Sequence, residues 1–323
     1  MLGLVAGTAA GGFAVDLATL MAARVIAGMF GGPATSIALA IIADVIPDAR
    51  RGKALGAVMG AFAVASVLGV PAGLELARHG GWRVPFFAVA ALGLVITAAA
   101  FSLLPPLRQH LLAAKGERPL AFVDLFRRPV VLYSWVMTAT VMMASFSVVP
   151  NLSTYFQYNL GSPRERLGVL YLVGGSVSFF ATRLMGRLVD RYGALRVGTA
   201  GTLWFLGVLY AGFVAPLPGL PVMLIFIAFM LSNSLRGVPH NTLTSRVPLP
   251  RERARFMSIQ SAVQHFASSV GAFMAARMLR ELPGGALEGM PAVGVVAMAL
   301  AATFPVLVWA VESRVNAARA AAA

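Results

Sequence analysis

The sequence predicts an all-α fold, a bundle of helices that crosses a membrane many times. Three observations predict it. The 323 residues are 59% hydrophobic and only 12% charged, against about 25% charged in a soluble domain. The mean hydropathy is +0.81. The apolar residues also gather into long runs separated by short basic loops. A run needs about 20 residues to cross about 30 Å of hydrocarbon. In lipid the backbone must satisfy itself, and these runs lack the alternation of barrel strands, so they are read as helices.

Ten runs follow in order, at roughly 1–15, 19–45, 53–78, 83–104, 130–158, 166–189, 194–214, 220–245, 254–279 and 291–312. The first reaches the polar break at Asp16 too soon to cross at about 1.5 Å per residue. It is expected to be truncated or not to cross. Residues 105–129, PPLRQHLLAAKGERPLAFVDLFRRP, form the longest polar stretch. They are read as a linker between an incomplete four-helix bundle, 1–104, and a six-helix bundle, 130–323.

The formal net charge is +14. If the loop 46–53 is cytoplasmic, 18 Lys and Arg fall on that side and 6 on the other, with Arg24 and Arg236 inside runs. The positive-inside rule then places the C-terminus in the cytoplasm. Charge confined to short loops points to membrane lipids as partners and away from nucleic acid. Cysteine is absent, which excludes disulfides and thiolate metal sites. No metal cluster, phosphate loop or nucleophile constellation appears, so no enzyme, metal or cofactor is expected. Met1 opens directly into an apolar run, so no cleavable signal peptide is expected. Among the basic residues only Lys53 and Lys115 are lysines. With abundant Ala, Gly and Val, this composition suggests a bacterial inner-membrane protein.

Residues 51–69 and 253–271 align without gaps, pairing Arg51 with Arg253, Lys53 with Arg255, Ser66 with Ser268 and Gly69 with Gly271. Both are basic loops entering helices, and repeated halves characterise transporter folds.

Four local patterns occur in order. Arg24 stands three residues before Ala27-Gly28 near the outer end of a run. Ile46-Pro47-Asp48-Ala49-Arg50-Arg51-Gly52-Lys53 enters the next. Leu68-Gly69-Val70-Pro71-Ala72-Gly73 follows, with Gly81-Trp82-Arg83 after it. Gly186-Arg187-Leu188-Val189-Asp190-Arg191-Tyr192-Gly193 then fills a loop between runs. Together these resemble the major facilitator superfamily, and most closely its drug–proton antiporter and arabinose-efflux-permease-like branch. The resemblance covers essentially the whole chain. Ala27 departs from the glutamine common in the branch. The resemblance implies two six-helix bundles that rock about a midplane site, and proton-coupled export of small molecules. It also makes the first run the family's third helix, so that two helices and the first copy of the loop motif are missing. Asp44 then lacks its expected arginine partner. A truncated, transport-inactive form is the alternative reading, and a membrane receptor or scaffold is a further one.

Gly186, Asp190, Arg191 and Gly193, with Asp44, are candidates for a conformational latch. Asp190 is expected to approach the helix that starts near Lys53, where the helix dipole favours an anion. Gly69, Pro71 and Gly73 are read as helix packing or as a bend that moves. Arg24, with Thr35 on its face, either lines a cavity or snorkels. Asn233, Arg236, His240 and Thr244 form one polar stripe, and Ser258, Ser261, His265 and Ser268 another. Asn151 and Thr154, with Tyr155 beside them, follow Pro150, which is expected to kink its helix. Arg24, Thr35, Asn151, Tyr155, Asn233, Arg236 and His265 are the candidate substrate contacts. No acid lies deep in any run, and His265 has a side chain able to titrate.

Overall fold

The computed structural model describes residues 1–45, 65–103, 125–249 and 252–320. The chain divides into two compact units, Met1–Pro119 and Leu120–Ala323. The first contains α1 (Leu2–Gly12), α2 (Leu17–Val45), a π-helical turn (Ala65–Gly69) running into α3 (Val70–Gly80), and α4 (Val84–Leu103).

Small residues let α1 pack closely on its neighbours. A Cβ on Gly7 would lie 2.6 Å from the backbone nitrogen of Ala27, and Gly11 and Gly12 sit against the rings of Phe86 and Phe87. Close approach of this kind is what membrane helices use in place of a hydrophobic drive. At the start of α2, Asp16 accepts the backbone N–H of Thr19 at 2.7 Å, an N-cap. That bond, with the Thr19 hydroxyl, holds the Asp16 carboxyl below its ordinary value. Helix α4 has a mean hydropathy of 2.3 over a stretch only 6% buried within the chain. A surface so apolar requires lipid around it.

The second unit begins with α5 (Pro129–Phe146). As expected from Pro150, which has no N–H to give, this helix stops. A 3₁₀ turn (Val149–Asn151), a short helical piece (Leu152–Thr154) and a π turn (Tyr155–Asn159) complete the span. Then come α6 (Leu167–Tyr192), α7 (Ala194–Leu209) with a π turn at Tyr210–Val214, α8 (Val222–Thr244), α9 (Arg253–Met278), α10 (Met290–Ala302) and α11 (Phe304–Ala320). Only Gly193 separates α6 from α7, at φ +84°, a conformation that glycine adopts without penalty. Phe205, Phe213, Phe226, Phe229 and Phe304 are fully buried between the helices.

One feature differs from the sequence expectation. Between α9 and α10 lies a small antiparallel hairpin, β1 (Arg280–Glu281) with β2 (Leu287–Glu288). Leu282-Pro283-Gly284-Gly285 turns the chain there, and Asn159 bonds both the N–H and the carbonyl of Leu287 at 2.9 Å. Among the described residues six helices are long and apolar enough to span, each of them falling on one of the predicted runs. The run 53–78 is described only from Ala65 onward.

Candidate functional site

The second unit has a buried polar cluster on α5, α8 and α9. Ser145 donates to Asn233 at 3.2 Å. Seven residues further along, in opposite chain directions, Thr138 meets His240 at 2.8 Å. Helices α5 and α8 therefore run antiparallel in a fixed register. Gln260 on α9 donates its amide N–H to the Thr138 hydroxyl at 2.5 Å. The other imidazole nitrogen of His240 lies 3.2 Å from the Asn241 side-chain oxygen. The Thr138 hydroxyl also donates to the Ser134 carbonyl at 2.9 Å. Gln260, Thr138, His240 and Asn241 are thus linked in one hydrogen-bonded network across three helices.

One turn nearer the cytoplasmic-expected end, the same register sets Ser134 opposite Thr244. Both hydroxyls are buried without a hydrogen-bond partner among the described residues, as are the Trp135 indole nitrogen and Gln260 Oε1. Arg236, one turn from His240 in the other direction, is 1% exposed. Its guanidinium carbon lies 4.4 Å from the ring centre of Phe205 and 5.5 Å from that of Phe304. None of its three nitrogens has a hydrogen-bond partner among the described residues. Pro239 leaves the Leu235 carbonyl without its helical donor. That backbone lies tight on α7, where a Cβ on Gly201 would be 2.9 Å from the Leu235 oxygen.

Helix α9 has two faces. Phe256, Gln260, Ala267 and Ala275 are buried, while Ser258, Gln264, His265 and Ser269 are exposed. The exposed side of α9 thus carries polar side chains over three turns, with Phe266 among them.

The Major Facilitator Superfamily sequence model matches residues 1–272. The chain belongs to that superfamily. A chloramphenicol resistance protein of Streptomyces lividans is 30% identical over 312 residues, which are 94% of this chain and 77% of that protein. The crystal structure of a D-xylose–proton symporter superposes with a TM-score of 0.73 at 15% identity, over 95% of this chain and 78% of the symporter. A bacterial homologue of the human lysosomal transporter Spinster, inward-facing and unoccupied, superposes with a TM-score of 0.62 at 18% identity, over 98% and 80% of the two chains. At these identities the two structures speak for the fold alone. The chain is a multi-pass membrane protein and a secondary transporter of that superfamily.

The superfamily-like residues take these places. Gly186 to Gly193 form the end of α6 and the turn into α7, with Asp190 and Arg191 exposed and Arg191 lying 5.4 Å from the Tyr192 ring centre. Thr35 and Asp44 lie within α2, and the helix start near Lys53 lies outside the described residues. Arg24 is exposed in its unit, its guanidinium 4.5 Å over Phe86. Gly69 ends the π turn, Pro71 opens α3, and a Cβ on Gly69 or Gly73 would meet nothing within 4 Å. The repeat partner of Gly69 behaves differently: a Cβ on Gly271 would lie 2.7 Å from the Met143 carbonyl, so it sets the α9–α5 contact.

Of the candidate substrate contacts, Asn151 is partly buried and bonds the Ser147 carbonyl of its own helix. Asn233 bridges to α5. Tyr155 does not line an opening: it is 3% exposed, stacked among Phe156 and Phe213, and its hydroxyl donates to Gly212 at 3.1 Å. Arg236 likewise sits in the core of its unit. His265 stands on the exposed face. The residues that sequence reasoning passed over are Ser134, Thr138 and Gln260. Their signal was the i, i+4 spacing of Ser134 and Thr138 inside an apolar run.

Proposed function

We propose that the protein exports small hydrophobic drugs across a bacterial inner membrane in exchange for protons, with chloramphenicol-like molecules as the first substrates to test. The observation that carries this is the exposed polar face of α9. Gln264 and His265 have no side-chain hydrogen bond among the described residues. Such a face is costly against lipid and marks a water-filled path. His265 and Ser258 are the substrate-path residues of the C-terminal unit, and Arg24 and Thr35 those of the first. His265 is the proton-handling group on this face, since imidazole can both take up and give up a proton. The kinship to a chloramphenicol resistance protein supports export, and the kinship in fold to a proton symporter is compatible with proton coupling.

The mechanism is alternating access by rocking of two bundles, with Asp190, Arg191 and Gly193, and Asp44, as a cytoplasmic latch. The excess of Arg and Lys on one side puts that face and the C-terminus in the cytoplasm. Expression in a drug-sensitive bacterial host tests the reading. It is expected to lower steady-state accumulation of labelled chloramphenicol, and His265→Ala is expected to restore it. Unchanged accumulation of every drug in a panel would remove the assignment.

A further inference from the structure

We infer that the C-terminal unit holds a buried anion site headed by Arg236, separate from the exposed face of α9. The guanidinium is 1% exposed, about eight residues or ~12 Å from the end of α8 at 1.5 Å per residue. Phe205 and Phe304 offer it ring faces, and a ring face engages the cation without using the N–H groups that fan out from its edge. Those donors find no acceptor among the described residues. A charge taken out of water needs a counter-charge or hydrogen bonds to its own donors. One ion pair of this unit, Arg128 with Glu252, is at the start of α9. The unit's other described acids are Glu165 before α6, Asp190 in the last turn of α6, Glu281 and Glu288 in the hairpin, and Glu312 in the middle of α11, beside Gly193. None of these carboxylates is hydrogen-bonded to Arg236.

Other buried side-chain groups of the unit lack hydrogen-bond partners among the described residues: the Trp135 N–H, a donor, Gln260 Oε1, an acceptor, and the Ser134 and Thr244 hydroxyls, which can do either. The three nitrogens of Arg236 are all donors, and they set the ligand class. The ligand class that fits is a compact acceptor-only anion: a halide, or a planar oxyanion or carboxylate that matches the fork of a guanidinium. Two sources share this chemistry, an inorganic anion from the cytoplasm and a carboxylate carried on a transported molecule.

The test uses the full chain in detergent micelles at constant ionic strength, with a bulky sulfonate as the background anion. Chloride, nitrate, acetate and benzoate are titrated in turn while the thermal unfolding midpoint is read. An anion that binds only the folded state raises the midpoint in a saturable way. The expected result is such a rise in the wild type and in Arg164→Gln. In Arg236→Gln the half-saturating concentration is expected to be at least about ten-fold higher, a loss of ~1.4 kcal/mol. A rise with chloride or nitrate identifies an inorganic anion; a rise confined to acetate or benzoate identifies a carboxylate. If Arg236→Gln does not fold, Arg236→Lys, which has fewer donors, is expected to shift half-saturation in the same direction. No saturable rise with any anion, or an equal rise in the Arg236 variant, overturns the inference. The readout involves no transport, so it stands or falls apart from drug export.

Discussion

The Nε2 of His240 lies 2.8 Å from the hydroxyl of Thr138, a residue 102 positions earlier and on another helix. Both side chains are almost wholly buried. With Gln260 bonded to the same hydroxyl, one threonine joins three helices of the C-terminal unit.

Replacing that threonine isolates two buried polar groups at once. Thr138→Val keeps the shape and removes the hydroxyl. It is expected to cost about 1–3 kcal/mol for each group left unsatisfied. Thermal unfolding in micelles should show a clear drop in midpoint for the valine variant and a smaller one for Thr138→Ser, which retains the bond.

Gly271 on α9 and Gly73 on α3 should respond in opposite ways. Gly271→Leu forces a side chain into the Met143 backbone, and overpacking of this kind costs about 1–3 kcal/mol. Gly73→Ala meets open space and lowers backbone entropy in the unfolded chain, so its stability is expected to stay level or rise by about 0.5–1 kcal/mol. Unfolding midpoints of both variants check this. Lost transport in a stable Gly73→Ala variant would favour a moving bend over a packing role at this motif.

Asp16 gives a pH dependence with a definite sign. Its folded carboxyl titrates below the ordinary value of 3.8 because the Thr19 N–H and hydroxyl bond the ionised form. Its contribution is therefore complete above pH 3.8 and is lost as pH falls through the lower folded value. The difference in midpoint between wild type and Asp16→Ala should be constant near neutrality and shrink below about pH 4. A difference that grows in acid would contradict the cap.

The α6–α7 turn separates a structural role from a functional one. Gly193→Ala places a Cβ at φ +84° and is expected to destabilise by about 1–2 kcal/mol. Asp190 is exposed at the end of α6, so Asp190→Asn should leave membrane insertion and melting unchanged. Its transport rate is expected to fall, because the latch reading needs the charge. Parallel insertion, melting and flux measurements distinguish the two variants.

Much of this was legible from runs and breakers. The apolar runs placed α4 to α8 within a few residues, and Pro150 marked the break after α5. The glycine of the loop motif marked the α6–α7 turn. What a run of letters does not carry is the direction in which a side chain points. Tyr155 and His265 both looked like polar contacts in apolar helices. Packing sent Tyr155 among phenylalanines and left His265 exposed. Thr138 and Gln260 were hidden because their meaning lies in a partner far along the chain. The β hairpin depends on two-residue strands, too short to show alternation.

The central claim is proton-driven export, and inside-out vesicles carrying the full chain test it most directly. With an acid lumen, labelled drug is expected to accumulate inside, to lose that accumulation when the pH gradient is dissipated, and to accumulate about ten-fold less in His265→Ala, ~1.4 kcal/mol in free-energy terms. Accumulation that persists at full rate after the gradient is dissipated, or none from any drug tested with the gradient in place, would contradict it.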